Sequence, residues 1–331
     1  MTNFDNAKSI PVGIVGIGLM GSSILLSLLV SGHPVVAIAP IPGEKELGWQ
    51  RIIELFEHCK KEGLLNKPVQ HYLDRLIISD DYAQLNNCQL VMECVMEKLE
   101  IKQQVYQKIA AVVNSNTVVA SNTSAIPITL LQQFWPFPEN FLGIHWAEPA
   151  YATRFLEVTC GDLTNLKTAE WVMNLSKGWD KEPTLLKKDI RGFITNRLMY
   201  AVYREGLHLE ETGAITLEDA DKAFRYDVGS WITVMGLFRR MDFMGLSDFS
   251  IAFEALFERL STQSCVPEKM REIVALNIKG VKDAKGLYNY TDEEARAWES
   301  SFSKFNNEIY QLAKKYSIRY SSIHNSEEFS I

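Results

Sequence analysis

The sequence predicts an α/β fold: a doubly wound, mainly parallel sheet carrying a helical hairpin insertion, followed by an all-helical C-terminal domain. Three observations carry that expectation. Short apolar runs without alternation recur in the first half of the chain, the pattern of strands buried on both faces. Segments with helical apolar spacing separate them, as a crossover between parallel strands requires. After about Lys187 the strand pattern fades and only helical spacing is left. The boundary falls near Asp189, with one domain over 1–189 and a second over 190–331.

The elements follow in order. Pro11 to Val15 reads as a buried strand ending in glycines. Gly16-Ile17-Gly18-Leu19-Met20-Gly21 comes next, then Ser22 to Leu29 with helical spacing, a stop at Gly32 and a second strand, Val35 to Ile38. This is a strand–glycine turn–helix–strand unit of about 30 residues. Gly48 to Lys61 and Lys67 to Leu76 are expected as two helices joined by Gly63-Leu64-Leu65-Asn66, an αα-hairpin projecting from the sheet. Gln89–Val95, Thr117–Ala120, Phe141–His145 and Phe155–Thr159 are further strands, with an amphipathic helix at Leu99–Val113. Helices are then expected at Phe193–Glu211, Thr216–Phe224, Phe238–Leu260, Pro267–Asn277 and Asp292–Tyr316. Thr216-Leu217-Glu218-Asp219 resembles a capping box with Asp in the place of Glu or Gln. From Ser317 the chain is polar and expected to fray.

Composition narrows the function. The 331 residues are 47% apolar and 23% charged, ordinary for a globular chain. Lys and Arg number 34 against 41 acids, a net charge of −7, with a pI near 5.5. An acidic chain without a basic block is a poor partner for nucleic acid or for an anionic membrane surface. The five cysteines (Cys59, Cys88, Cys94, Cys160, Cys265) are odd in number and form no C-x-x-C pair. That argues against a disulfide framework and against a metal cluster, and suits a reducing cytoplasm. The start MTNFDNAKSI is too polar for a secretory signal, and the apolar run Ile24–Val30 is too short to span a bilayer.

G-x-G-x-x-G is a weak signal alone. Here it follows a strand, opens a helix and lies in a βαβ unit, the context of a dinucleotide-binding Rossmann fold. Gly16 permits the tight turn, Gly18 lets the backbone approach a pyrophosphate at the helix N-terminus, and Gly21 allows close helix–strand packing. Leu19 and Met20 complete this candidate cofactor loop. One element is missing. The second strand should end in a carboxylate for the adenosine ribose, and this chain has Ala39-Pro40 there. Lys45 lies near enough to meet a 2′-phosphate, so this feature leaves NAD and NADP open.

Three stretches carry candidate chemistry. Ser121-Asn122-Thr123-Ser124 follows a strand, where ligands of such sheets gather. Gly143 to Pro149 ends another strand with His145, and Phe155-Leu156-Glu157-Val158 sets a carboxylate inside an apolar run. A buried Glu needs a partner, and His145 is the natural one. Glu157 would fix one ring nitrogen and leave the other as a general base. Spacing alone serves a core histidine in a structural ion pair equally well.

With these residues in view, nearly the whole chain resembles the L-3-hydroxyacyl-CoA dehydrogenase family. The resemblance runs through GIGLMG (Gly16–Gly21), VMECVMEKLEIK (Val91–Lys102), SNTSAIPIT (Ser121–Thr129), GIHWAEP (Gly143–Pro149), FLEV (Phe155–Val158), RGFITNRL (Arg191–Leu198), MGLFRRMDFMGL (Met235–Leu246) and KGLYNY (Lys285–Tyr290). It implies a dehydrogenase of fatty acid metabolism that interconverts a 3-hydroxyacyl-CoA and a 3-ketoacyl-CoA with NAD, NADP not being excluded. It implies His145 as general base, Glu157 as its dyad partner, and Ser124 and Asn196 as donors to the reacting oxygen and the histidine. Glu97 and Lys102 would lie on the nicotinamide ribose side, with Ser121 and Asn122 also in the cofactor site. It implies a homodimer through the C-terminal domain, where Trp231, Phe238, Met241, Phe243, Met244 and Phe249 are more apolar than one helix face can bury.

The chain departs from the family's pattern at four places. The ribose acid is absent at Ala39. Trp146-Ala147-Glu148-Pro149 replaces Phe-Phe-Asn-Pro, Arg191 replaces a proline, and Met235-Gly236-Leu237-Phe238-Arg239 replaces Met-Gly-Pro-Phe-Glu. These put a plain short acyl-CoA in doubt and suit a polar or charged acyl group. Lys60, Lys61 and Lys67 on the hairpin are candidates for CoA phosphates. Two alternatives remain at this stage: a dehydrogenase of a free 3-hydroxy acid of the carnitine or gulonate type, and a non-catalytic nucleotide-binding homologue.

Overall fold

The computed structural model describes residues 9–316. Eight strands form one sheet: β1 (Val12–Val15), β2 (Val35–Ile38), β3 (Leu76–Ser79), β4 (Leu90–Glu93), β5 (Val118–Ser121), β6 (Phe141–Trp146), β7 (Phe155–Cys160) and β8 (Glu182–Leu186). Their spatial order is β3-β2-β1-β4-β5-β6-β7-β8. Pairing is parallel from β3 across to β6, antiparallel between β6 and β7, and parallel again between β7 and β8.

Helices cover both faces, as the unbroken apolar strands demand. α1 (Leu19–Val30), α2 (Glu44–Lys61), α3 (Val69–Leu73) and α6 (Leu166–Lys177) share one apolar cluster with Val12, Ile14, Leu90 and Met92. α4 (Leu99–Ala110) and α5 (Ile128–Gln132) share the other with Val15, Val91 and Val119. Neighbours along each strand go to opposite clusters because successive side chains leave a strand on opposite faces.

Two strands differ from the sequence expectation. The hairpin's second helix, expected over Lys67–Leu76, stops at Leu73, and Leu76–Ser79 forms β3, a strand with no counterpart in the sequence expectation. The Arg75 guanidinium donates to the Leu29 carbonyl at 2.7 Å, and the Val35 amide donates to the Arg75 carbonyl at 2.9 Å. Those long-range bonds commit the segment to the sheet edge. β8 was not expected because Pro183 and Glu182 mask it; a proline is tolerated there on an edge strand.

The chain divides into two compact units between Arg197 and Leu198, within α7 (Thr195–Glu211). The second unit is helical: α8 (Leu217–Ala223), α9 (Gly229–Met235), α10 (Leu237–Met244), α11 (Leu246–Leu256), α12 (Glu268–Ala275) and α13 (Asp292–Tyr316). The helix expected over Phe238–Leu260 is broken at Gly245, whose φ of +109° suits glycine. Thr216 caps α8, accepting from the Asp219 amide at 3.1 Å and donating to its carboxylate at 2.8 Å. The polar tail from Ser317 lies outside the described residues.

Among the described glycines, the one with least room for a side chain is Gly21. A Cβ there would lie 1.9 Å from the Gly16 carbonyl oxygen, a backbone atom with no freedom to move aside. Gly21→Ala is expected to lower stability by at least about 1–3 kcal/mol, the usual range of core overpacking, read as a reduced urea midpoint at unchanged slope.

Candidate active site

β1 lies at the point where the strand order reverses, with β2 on one side and β4 on the other. Connections leaving in opposite directions open a crevice there. The glycine loop turns into α1 at this point. Gly16 has φ +93°, and a Cβ on it would stand 3.0 Å from the Cys94 carbonyl oxygen. Gly18 caps the helix with nothing within 4 Å of where its Cβ would be, so a ligand can approach the backbone. The first turn, at Leu19 and Met20, carries no acidic residue, and its amides have no partner inside the helix. This cradle fits a dinucleotide pyrophosphate.

Beside the loop, β4 ends in Glu93, which is fully buried. Its carboxylate accepts from Lys102 Nζ (2.7 and 2.9 Å), Tyr106 Oη (2.8 Å), Ser121 Oγ (2.7 Å) and the Val95 amide (2.8 Å). Glu93 escaped the sequence reading, although a lone carboxylate closing an apolar run was the available signal. Lys102 is 1% exposed and Ser121 is fully buried; expected in the cofactor site, both direct their side chains to Glu93 in this structure.

Lys102 also reaches Glu97 Oε2 at 3.2 Å, and Glu97 keeps 39% of its side-chain surface. Glu97 accepts from the Thr123 hydroxyl and from the Ser124 and Ala125 amides at 3.2 and 3.3 Å. Burial opposes its charge, but the Thr123 hydroxyl and the Lys102 ammonium outweigh burial and hold the carboxyl below its ordinary range. Glu97 thus anchors the turn that presents Ser124, which is exposed. Asn122 spans the neighbouring strands. Its amide donates to the Glu93 carbonyl at 2.9 Å, and its Oδ1 accepts from the Trp146 amide at 3.0 Å.

His145 and Glu157 stand opposite each other in the antiparallel β6–β7 pair. Nδ1 lies 3.3 Å from Glu157 Oε2; the side chains are 16% and 1% exposed. Glu157 Oε1 accepts from the Ile194 amide at 2.7 Å. Gly192 and Phe193 both take positive φ, +85° and +52°, a turn that brings that amide to the carboxylate. The His145 ring packs on Phe155 and Phe193, with centroids 5.7 and 5.8 Å away. Nε2 has no hydrogen-bond partner among the described residues. Asn196 is half-buried in the first turn of α7, and neither it nor the Ser124 hydroxyl bonds to His145.

The segment after His145 carries Glu148. It forms no ion pair among the described residues, and burial pushes its carboxyl up from the ordinary value. Arg154, six residues on, pairs with Asp180 at 2.9 Å and Glu182 at 2.7 Å. Arg191 is exposed and forms no ion pair among the described residues. Lys181 holds the segment from below, donating to the Ala150 carbonyl at 2.6 Å and to the Thr153 carbonyl. Burial lowers its ammonium to about 8. No cluster of three or more potential metal ligands occurs among the described residues.

Comparison with known proteins adds the family. Residues 11–190 match the description "3-hydroxyacyl-CoA dehydrogenase, NAD binding domain", and residues 192–290 match its C-terminal domain. The chain belongs to the 3-hydroxyacyl-CoA dehydrogenase family. Its nucleotide is NAD. A 5-formyl-3-hydroxy-2-methylpyridine 4-carboxylate 5-dehydrogenase of Mesorhizobium japonicum is 31% identical over 86% of this chain and 92% of its own. An L-carnitine dehydrogenase of Oceanobacillus iheyensis is 32% identical over 71% and 76%. The crystal structure of a pyridine-carboxylate dehydrogenase of the first kind superposes with a TM-score of 0.83 at 29% identity, covering 92% of this chain and 98% of that one. The (S)-3-hydroxybutyryl-CoA dehydrogenase of Ralstonia eutropha gives 0.70 at 27%, covering 85% and 99%.

The Glu93 network carries a stability prediction. Lys102→Met removes the one cation paired with buried Glu93 among the described residues, a loss of about 3–5 kcal/mol. Chemical denaturation should register it. A change below about 1 kcal/mol would mean that Glu93 is satisfied by its neutral donors alone.

Proposed function

We propose that this family member is a dehydrogenase in which His145 moves the proton of the reacting oxygen, acting on a small hydroxy or carbonyl compound not carried on CoA. The observation that carries the chemistry is His145 Nδ1 against the buried Glu157 carboxylate at 3.3 Å, with Nε2 left for substrate. Bound NAD supplies hydride acceptance and donation at the substrate carbon. In oxidation Nε2 takes the hydroxyl proton; in reduction the imidazolium returns it to the carbonyl oxygen. Glu157 stabilises the imidazolium by its charge and keeps the ring oriented. Ser124 donates to the reacting oxygen, and Asn196 orients the histidine–substrate pair. Glu97 meets the nicotinamide ribose side of the cofactor.

The carrier reading rests on two supports. The relatives named above at 31% and 32% identity act, by their names, on a pyridine carboxylate and on carnitine. The hairpin lysines are also largely engaged locally: Lys60 pairs with Glu57 at 3.5 Å, and Lys67 contacts His71 at 3.1 Å. The unpaired Glu148, three residues past His145, suits a substrate bearing a donor or a cation. The second reading, a 3-hydroxyacyl-CoA substrate, is favoured by the family itself.

We also propose a homodimer formed through the helical domain. Among its described residues only Ser261 is buried, and Phe238 and Phe243 are 72% and 69% exposed. Such an apolar surface is characteristic of an interface. The odd cysteine count, with Cys59, Cys88 and Cys160 buried as free thiols, supports a cytoplasmic location.

Three measurements follow. His145→Ala should cost about 10²–10⁴-fold in kcat with NADH affinity nearly unchanged, and Glu157→Gln should be severely impaired; near-wild-type turnover in either removes the mechanism. In a panel followed by NADH absorbance, the best free hydroxy acid should exceed acetoacetyl-CoA in kcat/KM by about tenfold or more, and Glu148→Asn should shrink that ratio. The reverse order would restore the CoA reading and leave the dyad intact. Light scattering at micromolar concentration should give twice the 37.6 kDa chain mass; a monomer would exclude the dimer.

A further inference from the structure

We propose that Glu44 is the residue that holds the adenosine ribose of NAD in this chain, and the carboxylate that turns away a 2′-phosphate. The strand end that usually supplies the acid cannot do so. Ala39 has no acceptor in its side chain, is 3% exposed, and donates its amide to the Ser79 carbonyl at 2.9 Å. The chain instead reverses after Pro40, and Gly43, with φ +80°, starts α2 at Glu44.

α2 lies directly against the glycine loop. Gly48 permits this: a Cβ there would stand 2.2 Å from Ile17 Cδ1. The close approach lets α2 hold both sides of one peptide unit in the loop. Glu44 Oε1 accepts from the Ile17 amide at 2.8 Å, and Arg51 Nη1 donates to the Ile17 carbonyl at 2.8 Å. Glu44 Oε2 faces the Ile41 amide at 3.4 Å.

Ile17 immediately precedes Gly18, where the backbone is open to a pyrophosphate. In NAD the adenosine ribose is joined to that pyrophosphate by one methylene. A carboxylate fixed on the Ile17 amide therefore lies within reach of the ribose hydroxyls. A carboxylate has about four lone-pair positions, so at least two remain for the 2′- and 3′-hydroxyls. The same charge repels a 2′-phosphate, and Arg51, the nearby guanidinium, is already bound to the loop carbonyl. Tyr82 supports a polar niche on this side. Burial, and then the Glu44 charge, pushes its phenol up to about 12, and its hydroxyl has no hydrogen-bond partner among the described residues.

The test uses binding, not turnover, so it is independent of the substrate reading. Dissociation constants for NADH, NADPH and 2′-deoxy-NADH are measured by nicotinamide fluorescence on the full chain. The wild type should bind NADH about tenfold or more tighter than either analogue. Glu44→Gln keeps an acceptor for the Ile17 amide but drops the charge, so the NADPH-to-NADH ratio should fall by about tenfold. Glu44→Ala should bind NADH and 2′-deoxy-NADH alike. Equal binding of NADH and 2′-deoxy-NADH by the wild type overturns the proposal without any variant having to fold. An unchanged NADPH-to-NADH ratio in a folded Glu44→Gln overturns it as well.

Discussion

Withdrawing a carboxylate from water leaves its charge to be balanced by whatever the fold can bring to it. Glu157 is almost wholly withdrawn, and its two oxygens are met from two directions. The β6–β7 register brings His145 to one oxygen, and the turn at Gly192 and Phe193 brings the Ile194 amide to the other. A slip of one residue along β7 would send Glu157 to the opposite face and strand it among apolar side chains. The cost of such an unpaired charge greatly exceeds that of one lost hydrogen bond. The register, the turn before α7 and the orientation of the imidazole are therefore one constraint seen from three sides.

A second withdrawn carboxylate stands three strands away in the same sheet. Glu93 closes β4 and gathers donors from α4, β5 and the chain just past itself. Lys102 passes the effect on to Glu97, and Glu97 fixes the turn that carries Ser124. Fully satisfied polar networks of this kind are rigid, so groups placed at the rim are held before a ligand arrives. Rigidity of this kind is what a hydride transfer needs, because the reacting atoms must meet within a narrow range of geometry.

Much of this was legible in the sequence because the signals are local. The glycine loop, the buried strands around it and the last long helix follow from spacing alone, and α13 has the bounds that spacing gives. Glu157 stood out as a charge in an apolar run. What stayed hidden depends on neighbours far along the chain. Lys102 and Ser121 read as cofactor-site residues through the resemblance, and their shared partner emerges only when β4 and β5 are paired and Glu93 falls opposite Ser121 in the register. Leu76 reads as a helix end until Arg75 is tied to α1 and β2. Glu44 is one of two acids in the first turn of α2, ahead of the Gly48 at which spacing starts the helix, and only the Gly48 contact reveals which backbone it touches.

The single antiparallel pairing has a consequence for how such a chain can change. A parallel crossover ties each loop at the crevice to a helix on the sheet's face, so altering its length disturbs distant packing. β6 and β7 are joined instead by a local hairpin spanning residues 147–154, and its two ends stay hydrogen-bonded to each other. Ser23 and Lys181 pin Ala150 and Thr153 from outside the hairpin, and the Thr153 hydroxyl holds the Ala147 and Pro149 carbonyls at 3.3 and 3.1 Å. The fixed ties of residues 147–149 are thus to backbone groups, and their side chains, Glu148 among them, form no ion pair among the described residues. Closing a short local loop costs little entropy, and that cost grows slowly with added residues. The segment can therefore behave as an exchangeable cassette: new chemical selectivity can be written into it by substitution or insertion while the His145–Glu157 pair beneath is inherited intact.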